Sequence, residues 1–534
     1  MVIKEIIIKN YKSFEDFSLS FNNDLNIIVG DNEVGKSSLL EAINLALTRQ
    51  LNGRNIDYEI SSFLFNKSTT DQYLTEIQAG NKPELPKIII ELYFEDHDDL
   101  IQLKGSINTK RTDAIGIQLR IDFDDNYSTE YTSYIADKSK VTTIPTEYYK
   151  VSWLSFAGNT ITKRSLPINT VFIDPTTIQL FNGTDYYIQK IINNHLELKE
   201  KAELSLAYRQ LKESFSKEDS IEKINDKLNE DGSLIEGKSL KVSIDITKRN
   251  GWETNLTSYL DDVPFHNLGK GEQNVLKILL ALDRSVHQSN VILIEEPENH
   301  LSFTKMSRLI DTIKERCANK QLLITTHSTF VMNKLGIEKV ILLSEGGNSM
   351  TLESLEDDTQ KYFKRLPGYD TLRLLIAKKS FLVEGPSDEL IVQKAYIKKY
   401  GKLPIEDEID VITVRGLSFK RFLEIAVLLK KEVYVFTDND GDYGRKVVSK
   451  YADYSGKSFI HICFDPDNNY PTLEPQLVKY NKLTVLNNIL GKTYTDPSEL
   501  IDYMTKSTNK TDCAMKIFDT DEDIIIPPYI YDNI

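Results

Sequence analysis

Gly30-Asp-Asn-Glu-Val-Gly-Lys-Ser37 follows the apolar run Leu25-Asn-Ile-Ile-Val29 and opens a stretch with Leu39, Leu40, Ile43 and Leu47 on one helical face. That order predicts a strand, a glycine-rich turn and a helix, which is the arrangement of a P-loop. Gly30 and Gly35 let backbone N–H groups come close to a polyphosphate, and the helix N-terminus adds partial positive charge. Lys36 is placed to reach the β- and γ-phosphates and Ser37 to ligate Mg²⁺, with Asn32 and Ser38 as further contacts of the same loop. The stretch is predicted to bind a nucleotide.

The bulk properties narrow the class. A chain of 534 residues predicts two to four domains, and 40% apolar residues are enough for packed cores. No run approaches the roughly 20 apolar residues of a membrane span, and charges interrupt the first residues where a signal peptide needs an apolar core. Cys317, Cys463 and Cys513 are scattered with no CxxC, and the seven histidines contain no HExxH, so neither a disulfide framework nor a zinc site is indicated. A cytoplasmic protein without a membrane partner is expected. The net charge of −15 argues against a generally basic nucleic-acid binder, while leaving room for a locally basic groove.

Along the chain, residues 87–94 and 115–123 read as strands, the second with period-two alternation. Residues 124–170, rich in Tyr and Thr, are expected to form hairpins or surface loops. Between Ile178 and Leu228 the pattern becomes helical and highly charged. It fits a protruding helix pair for self-association as well as it fits a solvated helix packed on its own domain. Strand character returns at 240–247.

Val291-Ile-Leu-Ile294 is a short apolar strand ending in Glu295-Glu-Pro-Glu298. A carboxylate at the end of a buried parallel strand can hold Mg²⁺, and the next can polarise the attacking water, which gives Glu295 the metal side and Glu296 the base. Upstream lies Leu268-Gly-Lys-Gly-Glu-Gln273. Downstream lie Asn299-His-Leu-Ser302, the strand Gln321-Leu-Leu-Ile-Thr-Thr326 and His327. In this order the set resembles the ABC-type ATPases, particularly the SMC and RecF branch. The resemblance implies ATP as the nucleotide. It makes Leu268–Gln273, with Gly269, Gly271 and Glu272, the signature loop that closes over the γ-phosphate of a second copy, Asn299–Ser302 the D-loop and His327 the switch histidine. Gly269 and Lys270 stand where that family has serine and glycine, and Glu295 stands where it has aspartate. Both departures imply slow or conditional turnover. No residue identifies a Q-loop glutamine.

The C-terminal region repeats strand and helix. Ser380-Phe-Leu-Val383 ends in Glu384-Gly-Pro-Ser-Asp388, a helix follows through Tyr400, and a strand at 410–414 leads to the turn Arg415-Gly416. A helix from Phe419 to Leu429 precedes the strand 433–437, which is capped by Asp438-Asn-Asp440. This order predicts a parallel sheet with acids at the carboxyl ends of its strands, where such sheets bind ligands. Carboxylates converging there repel one another unless divalent cations lie among them, and all-oxygen ligation points to Mg²⁺ or Mn²⁺.

This pattern resembles the TOPRIM domain. An ABC-type ATPase fused to it resembles the OLD (overcoming lysogenization defect) family endonucleases, a group that includes the nuclease subunit of Gabija-type phage defence and some retron effectors. The resemblance implies that Glu384, Asp438 and Asp440 hold one metal, and that Asp388 and Glu474 hold a second. It implies that Lys510 faces the scissile phosphate, with Lys516 as a close competitor.

The predicted fold is α/β: an ABC-type P-loop ATPase in two parts, 1–177 and 231–350, with a helical insertion at 178–230. A linker at 351–375 leads to a TOPRIM domain at 376–534. The favoured function is an ATP-regulated, metal-dependent DNA endonuclease acting as a dimer or higher homo-oligomer. A helicase, or a reverse transcriptase with its non-coding RNA, is the partner the family implies. The alternatives are an SMC- or RecF-like DNA-binding scaffold with a non-catalytic TOPRIM domain, and a topoisomerase- or primase-like enzyme.

Overall fold

A computed structural model describes residues 1–138, 141–163, 165–175, 180–181, 184–185, 196–229, 241–243, 252, 259–344, 348–366, 368, 370–414 and 418–534. The P-loop run Leu25–Val29 is an inner strand of a six-stranded sheet. The strand order is Thr170–Ile173, Val291–Glu295, Gln321–Thr325, Leu25–Val29, Val340–Ser344 and Asn348–Thr351. Every neighbouring pair is parallel except the last. Parallel strands covered on both faces read as near-continuous apolar runs, which is why these segments lack alternation. Ile28 joins the apolar cluster on one face, and Ile27 and Val29 join that on the other.

A second sheet is antiparallel, built from Phe14–Ser20, Ile3–Tyr11, Ile88–Phe94, Ala114–Phe123 and Tyr149–Ser155, with the short Lys104–Gly105 at its edge. The helix Lys36–Thr48 lies between the two sheets. Its Leu39, Leu40, Ile43 and Leu47 share one apolar cluster with Ile6, Ile8 and Leu92 of the antiparallel sheet and with Leu293 and Leu323 of the parallel one. Trp153 Nε1 donates to the Ala46 carbonyl at 2.8 Å and ties the antiparallel sheet to this helix.

Within 124–170, where hairpins or loops were expected, a helix spans Ser128–Ile135 and the strand Tyr149–Ser155 pairs with Ala114–Phe123. The charged stretch forms helices at Leu198–Phe215 and Asp219–Asn229. No residue of the first is buried, and Leu198 and Leu211 stand exposed. Of the strand expected at 240–247 only 241–243 are described, without regular structure, and the turn at Arg415-Gly416 lies outside the described residues. Residues 351–375, expected as a linker, include the helices Asp357–Arg365 and Thr371–Ile376 with Phe363, Leu374 and Leu375 buried.

The third sheet is wholly parallel, in the order Ile409–Thr413, Lys379–Val383, Glu432–Phe436 and Ile460–Cys463. The helices Leu473–Tyr480, Leu483–Leu490, Pro497–Thr505 and Lys510–Asp519 share a core with Phe381 and Ile391 through Leu477, Leu486, Leu500 and Ile517. A single apolar cluster joins Ile27 and Ile294 of the nucleotide-side sheet to Phe363 and Leu374, and these to Leu382, Ile412 and Val433 of the C-terminal sheet. The two sheets are therefore packed into one body.

Ile43, fully buried between two sheets that cannot both collapse onto a void, gives the first test. Ile43→Ala is expected to destabilise the protein by about 2–5 kcal/mol, read as a lower urea midpoint.

Candidate functional site

Two groups of polar side chains lie at the carboxyl ends of the two parallel sheets. The first surrounds a cavity of about 300 Å³ lined by Ser13, Asn32, Gly35, Lys36, Ser37 and Ser38, with Glu296 and His327 across from them. Gly35 adopts φ 100°, and a Cβ there would lie 2.4 Å from Ser13 Oγ, so the turn admits only glycine. Lys36 Nζ donates to the carbonyls of Gly30 at 3.0 Å and Asp31 at 2.6 Å. Burial lowers the Lys36 pKa, against the opposing charges of Glu296, Asp31 and Glu295. Such an ammonium, held only by carbonyls and distant acids, suits a phosphate.

The Ser37 hydroxyl bonds to Glu295, joining the two groups expected on the metal side. Burial pushes the Glu295 carboxyl up, the Ser37 bond opposes this, and Asp174, Glu296 and Glu41 add to the rise. Glu296 takes the left-handed φ of 38°. Its Oε1 lies 3.2 Å from His327 Nε2, and its Oε2 accepts from Asn299 Nδ2 at 2.7 Å. Glu296, His327 and Asn299, expected as base, switch histidine and D-loop residue, thus share one hydrogen-bonded group. The His327 pKa is lowered by burial and then by Lys36, with Glu296 and Asp31 opposing.

Gly269, Gly271 and Glu272 do not line this cavity. Gly269 precedes and Gly271 and Glu272 open the helix Lys270–Gln288 beside the expected D-loop, where a Cβ on Gly271 would fall 2.4 Å from the His300 carbonyl oxygen. Asn274 Nδ2 donates to the Asn299 carbonyl at 2.9 Å, and Lys305 pairs with Glu272 at 3.0 Å. Gly269 faces open space.

The second group sits at the C-terminal sheet. Glu384 follows the strand Lys379–Val383 and accepts from Thr437 Oγ1 at 2.8 Å and from the Asp438 N–H at 3.3 Å. Asp388, in the first turn of the helix Pro386–Tyr400, accepts from the Gly385 N–H at 3.1 Å. Part of its surface meets solvent, yet dense packing desolvates the carboxyl, and the charges of Glu384 and Glu474 join in raising its pKa to about 7. Asp438 is pushed up by burial and then by Asp388, Glu384 and Glu474. Glu474 is buried and lies 3.1 Å from Lys510 Nζ. Burial works against the Lys510 ammonium, but Glu474, Asp438 and Asp388 outweigh it and raise its pKa. Lys516, by contrast, donates to the Leu490 carbonyl at 3.1 Å. Asp440 is exposed with φ 50°, and its charge acts with that of Glu384 on Lys450 and Tyr451.

The acids lie within one another's field but do not close on one point: among the described residues no three His, Cys, Asp or Glu side chains form a ready metal shell. Their chemistry nevertheless fits hard divalent cations. The donors are all oxygen, and their mutual repulsion falls when positive charge is shared among them.

Several residues escaped the sequence reading. Asp174 follows the strand Thr170–Ile173, whose Ile173 pairs with Ile294, so it stands beside Glu295. Glu298 Oε1 accepts from Thr326 Oγ1 at 2.6 Å and from the His327 N–H at 2.8 Å, fixing the histidine loop. Asn439, fully buried, donates to the Asp465 and Asp467 carbonyls at 2.8 and 3.0 Å and accepts from the Gly441 N–H, pinning the loop that carries Asp438 and Asp440. An Asx residue between two aspartates was the available signal for Asn439; no local pattern marks Asp174.

An ATPase domain and a TOPRIM domain are the classes this geometry defines. The chain belongs to the AAA ATPase domain family, whose model matches residues 1–332, and an overcoming lysogenization defect protein-like TOPRIM domain matches residues 375–440. Glu474 and Lys510 lie beyond the latter match. Among curated relatives, endonuclease GajA of Bacillus cereus is 22% identical over 74% of this chain and 67% of its own length. Septu protein PtuA of Bacillus thuringiensis is 21% identical over 69% and 79%. An ATP/GTP phosphatase of Helicobacter pylori is 23% identical over 68% and 95%. A solved SMC head bound to the C-terminal winged-helix domain of ScpA is 17% identical over 66% of this chain and 99% of that one, at a TM-score of 0.36.

The crowding has a measurable consequence for Asp388. Its folded pKa lies above the ordinary aspartate value, so the neutral form favours folding, a contribution fully present below about pH 4 and lost progressively as pH rises to about 7. In EDTA, Asp388→Asn is expected to melt above the parent protein at pH 8, with the gap narrowing below pH 7 and closing near pH 4. The gain is on the order of 1 kcal/mol for each pKa unit relieved. A gap independent of pH would contradict this.

Proposed function

We propose that the protein is an ATP-regulated, divalent-metal-dependent DNA endonuclease. The observation that carries this is that Glu384, Asp388, Asp438 and Glu474, with the Lys510 ammonium beside Glu474, lie within one another's field at the carboxyl-end side of a parallel sheet. The likeness to a protein named as an endonuclease supports the reading.

Glu384, Asp438 and Asp440 are assigned to one Mg²⁺ or Mn²⁺, and Asp388 and Glu474 to a second. Bound there, the ions would activate water and stabilise the leaving oxygen of a phosphodiester. Lys510 neutralises charge on the non-bridging oxygens, and Glu474 orients it at 3.1 Å. Asn439 keeps the aspartate loop in place.

On the nucleotide side, Lys36 and the loop amides hold the phosphates of ATP, Ser37 and Glu295 its Mg²⁺, and Glu296 orients water. Gly269, open to solvent and away from its own chain's cavity, suits a second copy's nucleotide. ATP would thereby clamp two copies, and hydrolysis would release them. The apolar cluster that runs from Ile294 to Leu382 gives the clamp a stiff connection to the acids. A place in anti-phage defence follows from the OLD resemblance. No helix among the described residues is long and apolar enough to cross a membrane.

Nicking of supercoiled plasmid with Mg²⁺ or Mn²⁺ tests the assignment. Glu384→Ala and Asp438→Ala are each expected to slow nicking by about 10²-fold or more, as is Lys510→Ala, while Lys516→Ala leaves it near the parent rate. Undiminished nicking by the two acid variants would remove the assigned centre. Separately, Glu296→Gln is expected to retain ATP binding and lose hydrolysis, checked by nucleotide titration alongside phosphate release.

A further inference from the structure

The C-terminal sheet ends at the strand Ile460–Cys463, which pairs only with Glu432–Phe436 among the described residues. Around this free edge lies a cavity of about 640 Å³, walled by residues 447–455 on one side and by Pro528–Asn533 on the other. Small-molecule sites span about 300–1,000 Å³. The rings of Tyr451, Phe464 and Tyr529 line it together with His461, and Ser455 and Asn533 add polar groups. Phe464 is itself stacked on Tyr443, with centroids 5.8 Å apart and planes at 23°. Edge-strand peptide groups and flat rings are what a nucleobase needs, hydrogen bonds to its edge and a surface for its face.

Two of these walls lie within electrostatic reach of the acid centre. The charges of Glu384 and Asp440 act on Tyr451, and those of Asp438, Asp388 and Glu384 act on Tyr529. The Tyr451 hydroxyl is buried and has no hydrogen bond of ordinary geometry. Thr437 lies beside it but gives its own proton to Glu384. The cavity is therefore one side chain away from the assigned cleavage centre.

The segment that forms the wall also carries cations. Gly444–Ser449 is a π-helical turn, a form that recurs at functional sites. It exposes Arg445 and Lys446 while burying Val447. Lys450 follows, half-buried, in the field of Lys446 and Lys420 and of Glu384 and Asp440. In a chain of net charge −15, lysines gathered at the seam between the acids and an aromatic cavity form a local track for a phosphate backbone.

We propose that this groove holds one nucleotide of the substrate strand, unstacked from its neighbours. Its phosphate lies against Lys446 and Lys450, and its base against the rings of Phe464 and Tyr529. The identity of the strand as DNA rests on the nuclease reading above; the groove itself rests on its own geometry.

The test uses the full chain in Ca²⁺, with single-stranded DNA oligonucleotides carrying 2-aminopurine at successive positions. One position is expected to brighten on binding as its base leaves the stack. Ala452→Trp, and independently Val448→Trp at an exposed point of the same wall, are expected to abolish the brightening and weaken binding about tenfold while ATP binding persists. Lys446→Gln with Lys450→Gln is expected to lower the slope of log K against log salt by about 0.7, from the loss of one phosphate contact on a single strand. No brightening at any position, no binding of the oligonucleotides, or brightening unchanged in both tryptophan variants would overturn the proposal. A protein that nicks plasmid without brightening loses the groove and keeps the nuclease. One that captures the base yet never nicks keeps the groove and loses the nuclease.

Discussion

Carboxylates pressed together in a partly dry site repel one another, and most of the C-terminal architecture can be understood as holding them there. A lone buried acid escapes by taking up a proton; several in one field cannot all do so and remain useful ligands. Here the repulsion is shared out. Thr437 and a backbone amide face Glu384, the Gly385 amide faces Asp388, and Lys510 faces Glu474. Each partner is supplied by a different element, so the parallel sheet, the helix Pro386–Tyr400 and the late helix Lys510–Asp519 must pack correctly for the acids to meet. The extended core of Phe381, Ile391, Leu477 and Ile517 secures that packing.

The nucleotide end uses the same principle with fewer charges. Glu295 ends one strand and Glu296 follows it, and their partners separate them: Ser37 bonds to Glu295, while His327 and Asn299 meet Glu296. Between the two ends runs one apolar cluster instead of a flexible linker. Close-packed interiors transmit displacement because they have little free volume to absorb it. The nucleotide-side strands and the strands that lead to Glu384 and Asp438 share one packed core.

Much of this was legible because chemistry at the ends of parallel strands leaves short, punctuated patterns. The strand at Leu25–Val29 and the helix at Phe419–Leu429 are apolar-patterned runs that stop abruptly in polar residues, and the acids at 384, 438 and 440 come directly after such runs. What stayed hidden lacked that contrast. The strand Ile460–Cys463 is only four residues long and interrupted by His461, so neither length nor periodicity marks it. Asp174 becomes interesting only once Thr170–Ile173 lies beside the Glu295 strand, a pairing more than a hundred residues apart. The helix Asp357–Arg365 looks like a charged linker because its one buried apolar side chain, Phe363, stands among charged and polar neighbours. Composition also concealed the lysines near 446–450, since a net charge says nothing about where cations gather.

The most direct test of the central claim is binding of Mn²⁺ itself, followed by electron paramagnetic resonance on the nucleotide-free protein at pH 8. A Ser37→Ala background removes any contribution from the ATP site. Bound Mn²⁺ should appear in that background and fall sharply when Asp388→Asn and Asp438→Asn are added together, as two carboxylate ligands are lost. Unchanged Mn²⁺ uptake by the triple variant would contradict the account, because the acids would then be crowded for some reason other than holding cations.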